Sequence, residues 1–323
     1  MKILWKDFDH QLRRNLEEQG LLSFLKLSRV CVAFSGGVDS VALLQALWRQ
    51  KQNLKMDLSA AHFHHGAGSN LLFRNRSLKF CQKMCDDLGI ELFWTRYEGP
   101  KLVSEAEFRE SRWNWLFSLK TKKDIQSLVT GHHAEDQLET RVLHLVRGCG
   151  PEGLQAMSYQ DGPILRPFLN LPKAELRQYL QDLKVRYVED PSNSNTKYKR
   201  NWLREKWLPE LESKQQGSLK SLAASLEKIS VAFQQQSEAA STLVWYQGDW
   251  QKGIDRRQFY CLNSSQQKQA VVNYLRLIGT HDFRHTQIQE IIKNLDSSKI
   301  VHRFSVLRLH WQVNAEQILA SKS

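Results

Sequence analysis

Apolar and polar positions along the chain follow two rhythms. Residues 1–29 set Phe8, Leu12, Leu16 and Leu21-Leu22 among charges, the spacing of an amphipathic helix. Val30 to Phe34 is then a short β-branched and apolar run, the pattern of a buried strand. Ser35-Gly36-Gly37 breaks it, and Val38, Val41, Ala42, Leu44 and Leu47 resume at helical spacing. The same alternation recurs three times. Strands are expected at Leu58–Phe63, Glu91–Trp94 and Ser127–Thr130, and helices at about Leu72–Leu88, Glu105–Leu119 and Ala134–Arg147. Gly89 closes the first of these helices, and Ser104 is placed to cap the second. Strands alternating with helices predict an α/β fold, a doubly wound parallel sheet.

Gly148–Leu171 reads as a loop across the sheet edge, Pro172–Leu183 as a helix, Asp190-Pro191-Ser192-Asn193 as a turn and Asn201–Leu211 as another helix. The polar stretch Ser213–Ser218 suggests a boundary, giving domains 1–215 and 216–323. The second is expected to be mostly helical, with helices through Leu219–Phe233, Gln266–Ile278 and Thr286–Leu295 and a short hairpin at Val301–Phe304 and Val306–Trp311. A length of 323 residues suits two domains.

Composition narrows the class. No apolar run is long enough to span a membrane, and Met1–Asp7 is too polar for a signal peptide. Five scattered cysteines point to a reducing cytoplasm, and Cys81 and Cys85 lack the C-x-x-C spacing. The net charge of +12 suggests a polyanionic partner. It is concentrated at Lys197, Lys199, Arg200, Arg204 and Lys206, where Trp202 adds a ring able to stack on a base. The competing reading of Lys199, Arg200, Asn201 and Arg204 is a solvated helix face.

In a doubly wound sheet, ligands sit at the carboxyl ends of the strands. Three of the four expected strands end in chemistry: the glycine loop, His62-Phe63-His64-His65-Gly66, and Gly131-His132-His133. Two glycines let the loop backbone approach a ligand, and the unpaired N–H groups of the following helix suit phosphate. Ser35 and Ser40 can add hydroxyl donors. Asp39 repels phosphate unless it holds a cation such as Mg²⁺. The loop is neither G-x-x-x-x-G-K-[ST] nor G-x-G-x-x-G. Asp136 and Glu139, three apart on one helix, share a face that can hold a metal or the ammonium groups of a small substrate. A solvated acidic first turn is the alternative. The histidines invite a zinc reading, but no cysteine or carboxylate completes a ligand spacing. Arg109 and Arg112 suit phosphate or carboxylate, or are surface charges.

Ser35-Gly36-Gly37-Val38-Asp39-Ser40 resembles the pyrophosphate loop of adenylating ATP pyrophosphatases, of adenine-nucleotide α-hydrolase-like fold. Four more stretches extend the likeness: His62–Gly66; Arg109-Glu110-Ser111-Arg112-Trp113; Thr130–Thr140 with Arg147-Gly148-Cys149-Gly150 and Gly153-Leu154; and Asp190–Asn193 with Arg200-Asn201 and Arg204. Together, over residues 28–212, they resemble the tRNA(Ile)-lysidine synthase family, in its short form with one C-terminal domain. The resemblance implies ATP-dependent ligation of lysine to C2 of the wobble cytidine of tRNA(Ile) with a CAU anticodon. An adenylated cytidine is the intermediate, and lysidine, AMP and pyrophosphate are the products. It implies that Ser35, Gly36, Gly37, Val38, Asp39, Ser40 and His62 contact ATP, and that Asp39 with Asp136 holds Mg²⁺. Asp136 and Glu139 would take the cationic lysine, His132 would assist proton transfer, and Arg112 would meet phosphate or the lysine carboxylate. RNA would lie on Lys199, Arg200, Asn201 and Arg204, with the C-terminal domain recognising tRNA; a homodimer is one assembly allowed. Ala67-Gly68 replaces the leucine and arginine usual in the family, for which Arg74 or Arg76 can substitute, and Phe108 and Trp113 flank the paired arginines. The competing readings are a cytidine thiolase, a catalytically dead RNA-binding protein of the same fold, and a small-molecule amidating ligase.

Overall fold

A computed structural model describes residues 5–67, 70–99, 104–149, 151–190, 199–241, 245–280, 283, 285–295 and 301–322. The chain packs as two compact units, Met1–Glu139 with Met157–Glu210, and Thr140–Ala156 with Leu211–Ser323. In order, the elements up to the second unit's long helix are α1 (Trp5–Glu18), α2 (Leu22–Leu25), β1 (Arg29–Ala33), α3 (Val38–Leu54), β2 (Asp57–His64), α4 (Leu71–Leu88), β3 (Glu91–Arg96), α5 (Glu105–Lys122), β4 (Ser127–Val129), α6 (Ala134–Val146), β5 (Gln160–Asp161), β6 (Ile164–Leu165), α7 (Lys173–Asp182), α8 (Lys199–Trp202) and α9 (Leu208–Lys214).

The sheet of the first unit runs β3-β2-β1-β4-β6-β5. All its pairs are parallel except β5–β6. Val30 pairs with Leu58 on one side and Ser127 on the other, so β1 is the strand from which the connections diverge. A ligand crevice opens where the winding reverses, between β1 and β4. The β1 residues Val30, Cys31 and Val32 are fully buried, as a strand covered on both faces must be. Helix α3 buries Val41, Ala42, Leu43, Leu44, Ala46 and Leu47, most of its circumference. Phe8 of α1 stacks on Tyr179 of α7 at 4.2 Å.

The local signals operate as read. Gly89 ends α4 in the left-handed region at φ +61. Ser104 and Glu107 form a reciprocal capping box at the start of α5. The 148–171 segment is more ordered than the loop expected for it. A 3-10 turn at Pro151–Gln155 and the hairpin β5–β6 lie there. Two-residue strands are too short to display alternation, so composition alone spoke for a loop. The helix expected at Asn201–Leu211 begins at Lys199 and contains a π-helical turn, Leu203–Trp207.

The second unit holds α10 (Ser218–Ser241), β7 (Ile254–Asp255), α11 (Arg256–Cys261), α12 (Ser264–Leu277), α13 (His285–Leu295), β8 (His302–Val306), β9 (Leu309–Val313) and β10 (Gln317–Lys322). The expected hairpin is β8–β9, turned by Leu307 and Arg308 at φ +63 and +57. It belongs to a four-stranded antiparallel sheet, β7-β10-β9-β8, larger than the sequence pattern indicated. Trp311, fully buried, stacks on Phe304 at 5.7 Å and meets the edge of Tyr274. Pro191–Asn193, Lys197, Gly68 and Gly150, named in the sequence reading, lie outside the described residues. No described helix is long and apolar enough to cross a membrane.

Candidate functional site

The loop between β1 and α3 is held from several directions. Gly36 has φ +82, which disfavours any side chain. An added Cβ there would also stand 3.0 Å from Val188 Cγ2 and 3.2 Å from Cys81 Sγ. The carbonyls of the loop are tied outward: Ser77 Oγ donates to Ser35 O at 2.6 Å, and Val188 N donates to Gly36 O at 2.9 Å. Ser40 Oγ accepts from Ser35 N at 3.2 Å and lies 3.1 Å from Ser35 Oγ. The two hydroxyls therefore brace the turn, and Gly37 opens α3 with no side-chain cap. Backbone N–H groups at such a helix start favour an anion.

His62, at the end of β2, is buried and bonds Phe34 O through Nδ1 at 2.9 Å. Burial pushes its pKa down to about 4, so it is neutral at physiological pH and pins β2 to the strand end before the loop. His64 Nε2 lies 3.1 Å from Asn75 Oδ1, while its Nδ1 accepts from Gly66 N. Donation from Nε2 to Asn75 satisfies both contacts with a neutral ring. Arg74 Nη1 reaches the carbonyls of His65, Gly66 and Ala67 at 3.3, 3.1 and 3.1 Å. It thus fastens the turn that follows β2. Arg112 acts electrostatically on His65, whose pKa burial, and then Arg112, drive down to about 4.

The third strand end carries the densest electrostatics. Gly131 touches the loop: a Cβ there would stand 2.9 Å from the backbone carbon and oxygen of Asp39. His132 shares a 2.8 Å hydrogen bond with Thr130 Oγ1. Burial holds its pKa far below the usual imidazole value against the pull of Asp136, and Arg166, Arg109 and Arg200 add to the effect. His133 is the opposite case. It is 1 % exposed, with Nδ1 2.9 Å from Glu135 and Nε2 3.4 Å from Asp136 and 3.7 Å from Asp39. Burial opposes its charge, but the hydrogen bond to Glu135 and the carboxylates of Asp136 and Asp39 outweigh burial, and its pKa is raised. Lys173 Nζ, from the first residue of α7, lies 3.3 Å from Asp39 Oδ2.

Asp136 and Glu139 are paired with the basic stretch. Arg200 Nε donates to Glu139 Oε2 at 2.7 Å and Arg200 Nη2 to Asp136 Oδ1 at 3.0 Å. Arg204 donates to Glu139 Oε1 and Oε2 at 2.6 and 2.8 Å and to Asp136 Oδ1 at 3.2 Å. Glu139 is 1 % exposed. Asp136 Oδ2 accepts from His133 N. Burial would raise the Asp136 pKa, but His133, Arg200 and His132 keep it low. Arg200 and Arg204 therefore turn inward onto carboxylates, while Lys199 is exposed and Asn201 half-buried.

The structure thus brings Ser35, Gly36, Gly37, Val38, Asp39, Ser40, His62, His132, Asp136 and Glu139 to the carboxyl edge of one sheet. Sequence reasoning omitted Glu135 and Lys173, and took His133 only as part of the strand-end cluster and the zinc reading, with no catalytic or binding role of its own. His133 was visible in its motif; Lys173 gave no local signal. For a cation, the informative atom is Asp39 Oδ1, which is buried and accepts no hydrogen bond among the described residues. An oxygen in that condition fits a hard divalent ion such as Mg²⁺. Asp136 fits less well as it stands, because both its oxygens already face cationic or N–H donors. Among the described residues, no group of three or more His, Cys, Asp or Glu side chains is placed to hold a metal ion.

A family model described as a PP-loop domain matches residues 6–211. The chain is 38 % identical over 322 residues to the tRNA(Ile)-lysidine synthase of Bdellovibrio bacteriovorus, covering 97 % of this chain and 96 % of that one. It is 38 % identical over 197 residues to the enzyme of the same name from Legionella pneumophila strain Paris, covering 59 % of this chain and 44 % of that longer relative. Among solved structures, the U34-tRNA thiolase NcsA of Methanococcus maripaludis superposes with a TM-score of 0.57 at 17 % identity, covering 70 % of this chain and 79 % of that one, a likeness of fold.

Proposed function

The chain belongs to the tRNA(Ile)-lysidine synthase family of PP-loop enzymes, and from that premise we propose how its residues divide the work. The enzyme is a ligase that uses ATP and forms lysidine in tRNA(Ile). The observation that supports the residue roles best is the meeting of Asp39, His133 and Asp136 within 3.7 Å at the crevice between β1 and β4.

The Ser35–Ser40 loop takes the β- and γ-phosphates of ATP on its backbone amides and on Ser35 and Ser40. The wobble cytidine O2 forms a bond to the α-phosphorus. The bond from that phosphorus to the bridging oxygen breaks, and pyrophosphate leaves with the electron pair into the loop, whose fixed donors stabilise the developing charge. Mg²⁺, when bound at Asp39, supplies neutralisation across the phosphate oxygens. The side-chain amine of lysine then attacks C2 and AMP departs. That amine must be neutral to attack. His132, kept unprotonated by burial, can accept a hydrogen bond from the amine, while the same burial makes it a weak base that passes the proton on to water rather than holding it.

Asp136 and Glu139 take the cationic lysine by exchanging part of their hold on Arg200 and Arg204. Asp136 joins Asp39 at the metal only with the same exchange. RNA contact falls first to exposed Lys199 and to Asn201; Arg200 and Arg204 reach phosphate by leaving their carboxylates. Arg112 meets phosphate or the lysine carboxylate. Residues 216–323 assist in recognising tRNA.

Labelled lysine, bulk bacterial tRNA and purified protein, with and without ATP–Mg²⁺, test this reading. Label that requires ATP–Mg²⁺ and appears in one isoleucine acceptor is expected. Pyrophosphate release driven by RNA without label would replace lysine with another nucleophile. Neither signal, beside a working control, would leave an RNA-binding protein of this fold.

A further inference from the structure

The phosphate loop has no lysine of its own, since it lacks the G-K-[ST] ending that supplies one to other loops of this kind. The fold brings a lysine from 134 residues away. Lys173 Nζ lies 3.3 Å from Asp39 Oδ2, beside the amides that open α3. The pair is part-buried, with side chains 23 % and 30 % exposed, so solvent screens it less than a surface pair. The stem of Lys173 is also fixed. Its backbone N–H donates to both oxygens of Glu135 at 3.2 and 3.0 Å, and Ala134 N donates to Leu171 O at 3.0 Å, so the turn before α7 is fastened to the start of α6. Lys173 has a clamped backbone and four flexible methylenes, which let its ammonium swing about a fixed origin.

We propose that Lys173 is the loop's phosphate-binding cation, holding Asp39 while the site is empty and moving to the pyrophosphate oxygens when ATP arrives. This rests on the reading of Ser35–Ser40 as the pyrophosphate site. In the ligand-free enzyme, Lys173 and His133 both face Asp39, so the carboxylate does not repel an incoming polyanion at full strength. A divalent ion carried in with ATP competes for Asp39, and the ammonium is released next to the loop. As the bond from the α-phosphorus to the bridging oxygen breaks, a positive charge then stands where pyrophosphate gains negative charge. Lysine serves there as a point charge, as at other phosphate sites.

The test is titration calorimetry of inorganic pyrophosphate into the full chain in EDTA at low salt, so that no metal ion takes part. The proteins are wild type, Lys173→Met, Lys173→Arg, Asp39→Asn and the Lys173→Met, Asp39→Asn double variant, with Lys173→Gln in reserve should the methionine variant fold poorly. Lys173→Met should weaken pyrophosphate binding by about tenfold or more, the order expected for one charge-assisted hydrogen bond. Asp39→Asn should tighten binding, and by a larger factor with Lys173 present than absent, because it removes both a repulsion and a competitor for the ammonium. Lys173→Arg should bind nearly as wild type. An equal or smaller gain from Asp39→Asn in the presence of Lys173, or unaltered affinity in Lys173→Met, would overturn the proposal. Wild-type protein that binds neither pyrophosphate nor ATP would instead overturn the reading of the loop itself.

Discussion

Removing the charge of Glu139 should unfold the first unit's site from within. The carboxylate is 1 % exposed and receives Arg200 Nε at 2.7 Å and Arg204 Nε and Nη2 at 2.6 and 2.8 Å. At an effective dielectric of about 20, each charge pair near 4 Å has a gross attraction of roughly 4 kcal/mol. Most of that offsets the desolvation of four ionic groups, Asp136, Glu139, Arg200 and Arg204, so the network as a whole is worth little. The loss of one member is different. Glu139→Gln keeps the shape and one acceptor oxygen but turns the other toward the guanidinium groups as an NH₂ donor. Two half-buried cations are then left with Asp136 alone. The expected cost is about 3–5 kcal/mol, the usual range for a buried pair broken from one side. Unfolding in urea, which unlike guanidinium chloride does not screen ion pairs, measures it. Amide exchange in residues 134–139 and 199–210 assigns the loss to this unit. The quadruple variant Asp136→Asn, Glu139→Leu, Arg200→Leu, Arg204→Met, which removes every charge of the network, should lose far less than the sum of its parts. A Glu139→Gln cost under about 1 kcal/mol, or additive behaviour in the quadruple variant, would refute the argument.

Gly131→Ala should lower ATP affinity at least about tenfold while the fold persists, because its Cβ would push on the Asp39 backbone from 2.9 Å; equilibrium nucleotide binding checks this. His62 should make the fold acid-sensitive. Its folded pKa is lowered to about 4 from 6.5, so the unfolded chain takes the proton first, and stability is lost as pH falls from about 6.5 toward 4, by up to about 3 kcal/mol. His62→Asn keeps a donor for Phe34 O without titrating; thermal melts across that window should show a shallower acid decline, and an unchanged decline would exclude His62 as the cause. Arg74→Ala should cost about 1 kcal/mol and speed amide exchange at Gly66 and Ala67, since it removes the donor to three carbonyls of that turn.

The elements were legible because their signals are local. The β-branched run at Val30, the capping residue Ser104 and the glycine after Leu88 each act within a few residues of themselves. Strand ends carrying His62 and His132 were legible for a related reason: a parallel sheet delivers those ends to one edge. Pairing of charges was not legible. Asp136 and Glu139 read as an acidic face, and Arg200 and Arg204 as a basic one, yet the fold brings them into one network. Nothing in either stretch encodes the other. Lys173 is hidden in the same way, as a lysine at the start of a surface-like helix whose importance comes from the 3.3 Å to Asp39. The sheet of the second unit was seen only as its β8–β9 hairpin: β7 has two residues and meets β10 across a gap in sequence that periodicity does not bridge, and β10, though it follows β9 after three residues, offers only the short unalternating run Ile318-Leu319-Ala320.

The anchoring of the glycine loop has a kinetic side. Ser77 and Val188 hold its carbonyls outward, and Ser35 and Ser40 lock its hydroxyls together, before any ligand is present. A receptor assembled in advance has no slow reshaping step between encounter and capture. Phosphate should therefore enter in a single phase whose rate rises linearly with concentration and falls with salt. Any slower phase seen in rapid mixing with ATP then reports on side chains that exchange partners around the loop, and the loop backbone itself stays still.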